Sequence, residues 1–167
     1  MKNRFIIELE HLPDEGRTFQ GELPGETFDL PEDDATPTGP LLYDLHVQRF
    51  GPELLLRGRL EAPFRFTCVR TLHPFVRTIR LDDAVIAIEI TTEGGIDATE
   101  ALREEILINF PADPRCDDAD EPMECEIDPR YLSVDKSPPD GLPTPPRAAK
   151  DDRWSALDGL QNLKDRT

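Results

Sequence analysis

The chain has 167 residues, of which 37% are hydrophobic, and a formal net charge of −16. This length suffices for one modest domain, while the low apolar content and the 17 Pro residues indicate that part of the chain stays unpacked. The acidic charge argues against non-specific adhesion to nucleic acids or anionic membranes and favours basic protein partners. Three cysteines are too few for a secreted disulfide framework, and no apolar run reaches the ~20 residues of a membrane span, so we expect a soluble cytoplasmic protein.

Five segments alternate apolar and polar residues with the period of two that predicts half-buried β-strands. They are residues 3–10, 42–50, 53–68, 75–81 and 85–92. A Gly-Pro pair at 51–52 separates two of these strands and two aspartates at 82–83 separate two others, so each pair should form antiparallel neighbours around a turn. Between the first two strands, residues 13–40 are rich in Gly, Pro and acids, and they predict a long loop with at most one short strand around 18–23.

The segment 53–68 has the clearest division between its two faces. One parity holds the apolar side chains and should face the core: Leu54, Leu56, Leu60, Ala62, Phe64, Phe66 and Cys68. The other parity carries Arg57, Arg59 and Arg65 and should face water. Pro63 lacks a backbone N–H, which suggests an edge position or a bulge at that point.

A single helix is predicted after the sheet, because Asp97 can cap a helix that Pro111 stops at about residue 110. Its apolar stripe recurs every fourth residue, at Ala98, Leu102 and Ile106. The predicted fold is therefore α+β, mainly an antiparallel β meander that closes partly into a barrel-like sheet, with one packed helix. A single domain at residues 1–135 should hold these elements together with long acidic loops at about 13–40 and 111–135.

The end of the chain has a different character. Residues 136–152 contain five Pro and predict a semi-rigid linker. Residues 153–165 fit a short amphipathic tail helix whose apolar side chains are Trp154, Leu157, Leu160 and Leu163. A helix of this length is marginal alone in water, and an apolar helix on a tether is a known docking element, so we predict that these side chains dock onto a partner.

The net charge hides a local reversal. Residues 57–80 contain six Arg against one acid, Glu61. Arginines on a sheet face can bind RNA phosphates bidentately, and the predicted row comprises Arg57, Arg59, Arg65, Arg70 and Arg77. The alternative, which composition alone favours, is that these arginines pair with the protein's own acidic loops at 26–34 and 113–128.

The cysteines do not follow the spacing of a zinc site. Four ligands could come from Cys68, His73, Cys116 and Cys125, but this set lacks the paired C-x2-C pattern that is typical of structural zinc. The simpler interpretation is that Cys68 is a small buried strand residue and that the other two are loop thiols. We therefore expect no cofactor, with zinc as the less favoured alternative.

No catalytic constellation is evident. The chain lacks a phosphate loop, a dinucleotide fingerprint and an H-E-x-x-H motif. Asp44 and His46 lie on one face of a predicted strand, but no nucleophile accompanies them and cross-strand pairing explains them equally well. A small hydrolase or nuclease rests on that pair alone, so we expect neither an enzyme nor a small-molecule substrate.

The chain contains three stretches in a defined order: FTCVRTLHPF, GGIDATEALREEILINFPADPRCDD and DDRWSALDGLQNLKD. The first resembles the C-x-R-C-x-x-P-F motif of the YceD-like family, the large ribosomal RNA subunit accumulation proteins. The second is similar to that family's Glu-rich helix followed by Pro-x-x-Pro and a Cys, and the third to its closing segment. Two departures stand out: Thr71 replaces the second Cys of the first motif, and the region of Cys116 and Cys125 lacks the paired cysteines of the more Cys-rich members.

The resemblance implies a non-enzymatic role in the accumulation or processing of large-subunit ribosomal RNA and in ribosome assembly. It implies large-subunit ribosomal RNA or a pre-ribosomal particle as one partner. A basic ribosomal protein is a second, because the family's gene commonly neighbours that of a small large-subunit ribosomal protein in bacteria. No catalytic residues are established for the family. The alternative interpretation is a zinc-stabilised protein-interaction module without RNA contact.

Overall fold

The structure, a computed structural model, describes residues 3–31 and 35–131. Residues 1–129 form one compact unit; of the second unit, which starts at Arg130, only Arg130 and Tyr131 are described. The predicted linker at 136–152 and tail helix at 153–165, with Trp154, Leu157, Leu160 and Leu163, lie outside the described residues. Where the chain is described, no helix is both long enough and apolar enough to cross a membrane.

Seven strands and one α-helix make up the described part, joined by loops and short 3-10 turns. They are β1 (Ile6–Glu8), β2 (Arg17–Leu23), β3 (Thr36–Pro37), β4 (Leu41–Phe50), β5 (Glu53–Thr67), β6 (Pro74–Glu89), β7 (Gly95–Asp97) and α1 (Thr99–Ile108).

The main sheet is an antiparallel meander built around β5. Strand β5 pairs with β4 on one side and with β6 along its whole length on the other. Strand β2 pairs with β4, and the short β3 pairs with β5 on the same side as β4, beyond the point where β4 ends. Strands β1 and β7 form a separate two-stranded antiparallel sheet. The predicted α+β class with a largely antiparallel sheet and one packed helix is therefore confirmed.

The expectation of a partly closed barrel is wrong for the described strands. Strands β2 and β6 are opposite edges of an open sheet, and no pairing between described strands joins them.

The predicted turn at Asp82-Asp83 is instead the middle of one 16-residue strand, β6. Gly58 pairs with Ala84 and Leu60 with Leu81, so β6 has one residue more than β5 between these pairs, and the register shifts there. A β-bulge absorbs the extra residue, and the strand continues without reversing.

Gly58 allows the chain to pass through this bulge. Its φ is +150°, and a Cβ at this position would lie 2.1 Å from the backbone oxygen of Asp44 on the neighbouring strand. Only a residue without a side chain fits so close an approach.

Pro63 lies inside the sheet, so the prediction of an edge position or a bulge at this residue is wrong. Its carbonyl accepts a hydrogen bond from the N–H of Thr38, on the side away from β6. In an antiparallel strand the N and O of one residue point the same way, so the missing N–H of Pro63 would face the gap between β4 and β3. No ladder hydrogen bond to β6 is lost.

The alternation of residues 53–68 predicts the core correctly, because the seven apolar side chains of one parity, six in β5 and Cys68 just after it, are each no more than 3% exposed. Helix α1 packs on β5 and β6 with its predicted stripe of Ala98, Leu102 and Ile106 fully buried. The helix begins one residue later than predicted: Ala98 is the cap residue, while the carboxylate of Asp97 accepts a hydrogen bond from the N–H of Thr99 at 3.0 Å.

Candidate functional site

The three cysteines, far apart in sequence, converge at one end of the sheet. Cys68 immediately follows β5, in the turn of residues 68–73 that leads into β6, whereas Cys116 and Cys125 come from the loop after α1. Their Sγ atoms all lie within 4.8 Å of one another, and those of Cys68 and Cys125 are 3.5 Å apart. Cys68 and Cys116 are fully buried and Cys125 is half-buried. We call these residues the thiol cluster.

The turn of residues 68–73 directs Thr71 back toward the cluster. The N–H of Cys68 donates to the carbonyl of His73 and the N–H of Leu72 donates to the carbonyl of Cys68, both at 2.9 Å. Leu72 closes this tight turn with a left-handed φ of 59°. As a result the N–H of Thr71 points at the Cys68 Sγ at 3.5 Å, and its hydroxyl lies 3.7 Å from the Cys116 Sγ.

Backbone hydrogen bonds dock the loop that carries Cys116 and Cys125. The N–H of Val69 donates to the carbonyl of Pro114, and the N–H of Asp120 donates to the carbonyl of Val76 on β6. The carboxylate of Asp120 in turn accepts from the N–H and the hydroxyl of Thr78, at 3.0 and 2.6 Å. The loop therefore lies along the free edge of β6.

The local environment shifts the pKa values of two of the thiols in opposite directions. Burial raises the pKa of Cys68, but hydrogen bonds from the Thr71 hydroxyl and from nearby backbone N–H groups outweigh it and lower that pKa to about 5. Burial raises the pKa of Cys116 above its ordinary value, and its S–H faces the carbonyl of Glu124. Cys68 is therefore ionised near neutral pH, whereas Cys116 keeps its proton.

A partly exposed guanidinium stands beside the cluster. Arg115 hydrogen-bonds Asp117, which raises the pKa of the arginine, and Cys125 adds a smaller contribution in the same direction. The Nε of Arg115 is buried without a hydrogen-bond partner. Three converging thiols with a positive charge next to them form a donor set suited to a thiophilic metal ion.

The structure brings together three of the four predicted zinc ligands. His73 is exposed and does not belong to the group; its backbone alone reaches inward, the N–H to the Thr71 hydroxyl at 3.4 Å and the carbonyl to the N–H of Cys68. Thr71, which the sequence marks as a lost ligand position, lies next to the cluster instead. Sequence spacing could not reveal the site, because it forms only where the turn of residues 68–73 meets the loop after α1. The one local signal was the position of Cys68 directly after a strand.

The predicted arginine row divides between the two faces of the sheet. Arg57, Arg59 and Arg65 project from the outer face, as expected. Arg77 is opposite Phe64 in the register and therefore lies on the core-side face, where it pairs with Asp118 at 3.8 Å.

Several of the basic side chains already have acidic partners. Arg59 pairs with Asp82 at 3.1 Å, and Arg80 pairs with Glu61 at 2.8 Å and Asp120 at 3.9 Å. Pairing with the 113–128 loop thus involves Arg77 and Arg80, while none of the described residues of the 26–34 loop takes part. The members of the row that form no ion pair with any described acid are Arg57, Arg65 and Arg70.

The Asp44-His46 pair is engaged in cross-strand contacts. The Asp44 carboxylate accepts from the Gln20 amide at 3.0 Å. The His46 ring meets the Glu15 carbonyl through Nε2 at 3.1 Å and the Thr18 hydroxyl through Nδ1 at 3.3 Å. Because the carbonyl can only accept, Nε2 carries the proton and Nδ1 accepts from Thr18, which leaves no ring nitrogen for a substrate.

Comparison of the chain with models of protein families, with curated proteins and with solved structures finds no match. The resemblance to the YceD-like proteins therefore rests on the three sequence stretches alone.

Proposed function

We propose that this chain is a non-enzymatic factor in the accumulation of large-subunit ribosomal RNA and that it binds RNA through the outer face of its main sheet and the adjoining turn of residues 68–73. One observation carries the proposal: Arg57, Arg65 and Arg70 are exposed and form no ion pair with any described acid, although acids outnumber bases 35 to 19 in the chain. Phosphate is the partner for which a guanidinium is best suited. The sequence resemblance supplies the class of RNA.

The spacing of these arginines suits an extended ligand. Arg57 and Arg65 are eight residues apart on one continuous strand, which places their Cα atoms about 26 Å apart. Val85 is the strand neighbour of Arg57 and Val76 that of Arg65, and both valines are exposed. A basic and partly apolar strip of this length fits several nucleotides of an RNA strand rather than a single phosphate.

The remaining surface limits where RNA can bind. The pairing of Arg77 and Arg80 with the loop of residues 113–128 neutralises that edge, and the net charge of −16 repels phosphate elsewhere. The same acidic surface suits the basic ribosomal protein that the resemblance implies as a second partner.

The test is the double substitution Arg57→Ser with Arg65→Ser. We expect lower affinity for a large-subunit ribosomal RNA fragment and a smaller salt dependence, because each lost phosphate contact removes about 0.7 from the slope of log K against log salt. Filter binding across a salt series measures both quantities. The fold should be unaffected, since neither arginine forms an ion pair with a described acid.

Arg4→Ser is the matched control. Its side chain is 64% exposed and pairs with Asp97 of the small sheet, so the substitution removes one positive charge, against two in the double variant, away from the proposed face. A double variant that binds RNA like the wild type would contradict the RNA contact. If such a variant still co-sediments with pre-large-subunit particles, the chain is instead a protein-interaction module. Sedimentation only at the top of the gradient, with normal ribosomal RNA in a deletion strain, would remove the proposed role.

A further inference from the structure

We propose that Cys68, Cys116 and Cys125 together bind one Zn²⁺ ion and that Thr71 leaves its fourth coordination position open to water. The inference is independent of RNA binding, since it depends only on the thiol cluster. Zinc holds thiolate sulfurs at about 2.3 Å, which separates the sulfurs of a tetrahedral site by about 3.8 Å. The 3.5 Å contact between Cys68 and Cys125 and the 4.8 Å limit for the whole cluster bracket that value.

The closeness of the three sulfurs favours a single ion. In an iron–sulfur cluster three thiolates do not all bind the same iron, which keeps at least one of them farther from the others than is seen here. Two of the three thiols are fully buried, where an aliphatic side chain would pack equally well if no ligand were involved. Soft thiolate donors select zinc over the harder divalent ions.

Thr71 determines the character of the fourth position. Its hydroxyl lies 3.7 Å from the Cys116 Sγ and its N–H donates to the Cys68 Sγ, so the residue lies against two of the three sulfurs. A neutral hydroxyl is not among the usual zinc ligands, which are thiolate, imidazole and carboxylate. Water therefore completes the coordination, and this site exchanges its ion more readily than a site with four thiolates.

The surroundings compensate the charge of such a site. As the Zn–S bonds form, each cysteine that is still protonated releases its proton to solvent, and the ion with three thiolates carries a single negative charge. Arg115 interacts with Cys125 and has a buried Nε without a hydrogen-bond partner, so its guanidinium offsets that charge. The N–H of Thr71 already points at one of the sulfurs, as expected of a group that orients a ligand.

Binding would join the two segments that meet at the edge of β6. One ligand comes from the turn of residues 68–73 and two come from the loop after α1. Backbone hydrogen bonds already hold these segments together, so the ion adds stability to a site formed in advance.

Cobalt(II) is the probe, because its thiolate complexes absorb in the near ultraviolet in proportion to the number of bound sulfurs. We expect the reduced full-length chain to take up one equivalent with an absorption typical of three thiolates. Serine at any of the three cysteine positions should weaken binding and reduce that absorption. Thr71→Cys should add a fourth thiolate and tighten binding at least about tenfold. His73→Ala is the matched control and should change neither quantity.

Metal removal from the wild type covers the case in which a cysteine variant fails to fold. A chelator should abolish the absorption and added cobalt should restore it. Failure of the reduced wild type to take up cobalt stoichiometrically would overturn the site. An absorption of Thr71→Cys that equals that of the wild type would overturn the open fourth position. Since RNA is absent from all these measurements, their outcome is distinct from that of the RNA-binding test.

Discussion

Leu72 is the residue at which the backbone is most clearly under strain. It has a φ of 59° in the turn of residues 68–73, and its side chain is 75% exposed, so it contributes no core packing. A left-handed conformation costs a residue with a Cβ roughly 1–2 kcal/mol, while glycine adds up to about 1 kcal/mol of unfolded-state entropy. We predict that Leu72→Gly raises the free energy of unfolding by up to about 1 kcal/mol, measured by chemical denaturation.

Leu72→Ala separates backbone strain from the loss of the side chain. Alanine keeps the Cβ, so we expect no gain from this variant. A glycine variant less stable than the alanine variant would contradict the backbone strain, because both variants lack the leucine side chain and differ only in the Cβ.

At the same scale, the thiol cluster marks the limit of what sequence can predict. The paired spacing expected of zinc ligands follows from ligands that share one tight turn, and only the segment from Cys68 to Thr71 has that geometry. Cys116 and Cys125 reach Cys68 through hydrogen bonds such as that from Val69 to Pro114. These contacts are non-local, so no local pattern announces them.

At the scale of elements, the loop along β6 depends on one carboxylate. Burial raises the pKa of Asp120, but hydrogen bonds from Thr78 and the charges of Arg80 and Arg77 outweigh it, so the folded-state pKa lies below the ordinary 3.8. We predict that Asp120→Ala lowers the free energy of unfolding by about 1–2 kcal/mol at neutral pH, the lower part of the range for a hydrogen bond to a charged group, because the carboxylate is partly exposed. Chemical denaturation across pH measures this.

The depressed pKa of Asp120 fixes how its contribution to stability changes with pH. A carboxylate whose pKa is depressed by folding stabilises the protein fully above its unfolded pKa and loses that effect as pH falls through the folded value. The difference between wild type and Asp120→Ala should therefore shrink below about pH 3.8. Asp113→Ala, at an exposed position of the same loop, is the control and should change little. A difference that stays constant into strong acid would exclude the carboxylate as its source.

Elements that follow from a local sequence pattern could be predicted, whereas features that depend on contacts with another strand could not. The single-parity apolar set of β5 and the stripe of α1 follow directly from side-chain burial. The continuous β6 does not, because two adjacent aspartates normally indicate a turn. Here the bulge and the pairing of Arg59 with Asp82 keep them within a strand. The division of the arginines likewise depends on register, which placed Arg77 opposite Phe64.

At the scale of the whole molecule, the described core is contained in the first unit. Its buried side chains run from Phe5 to Cys116. We predict that a chain of residues 1–131 folds cooperatively, with a free energy of unfolding within about 1 kcal/mol of the full chain. Denaturation monitored by circular dichroism measures this, and failure to fold would contradict a self-sufficient unit.

A shorter chain of residues 1–110 provides the comparison. It lacks the loop with Cys116 and Asp120, and we expect it to be markedly less stable than residues 1–131. Docking through Trp154, Leu157, Leu160 and Leu163 remains a prediction. Loss of partner capture by residues 1–131, with RNA affinity retained, would support it.

The loop along β6 has one more consequence, for encounters between chains. An open sheet edge offers unpaired backbone groups on which a foreign strand can assemble, the usual start of fibre growth. Here Asp120 already hydrogen-bonds the backbone carbonyl of Val76 and the backbone N–H of Thr78. Farther along the strand, Arg80 and Asp82 present charges. An incoming strand would have to displace hydrogen bonds at one end and bury charges at the other. The loop after α1, which supplies two of the three thiols, thus also hinders aggregation through the edge of the sheet.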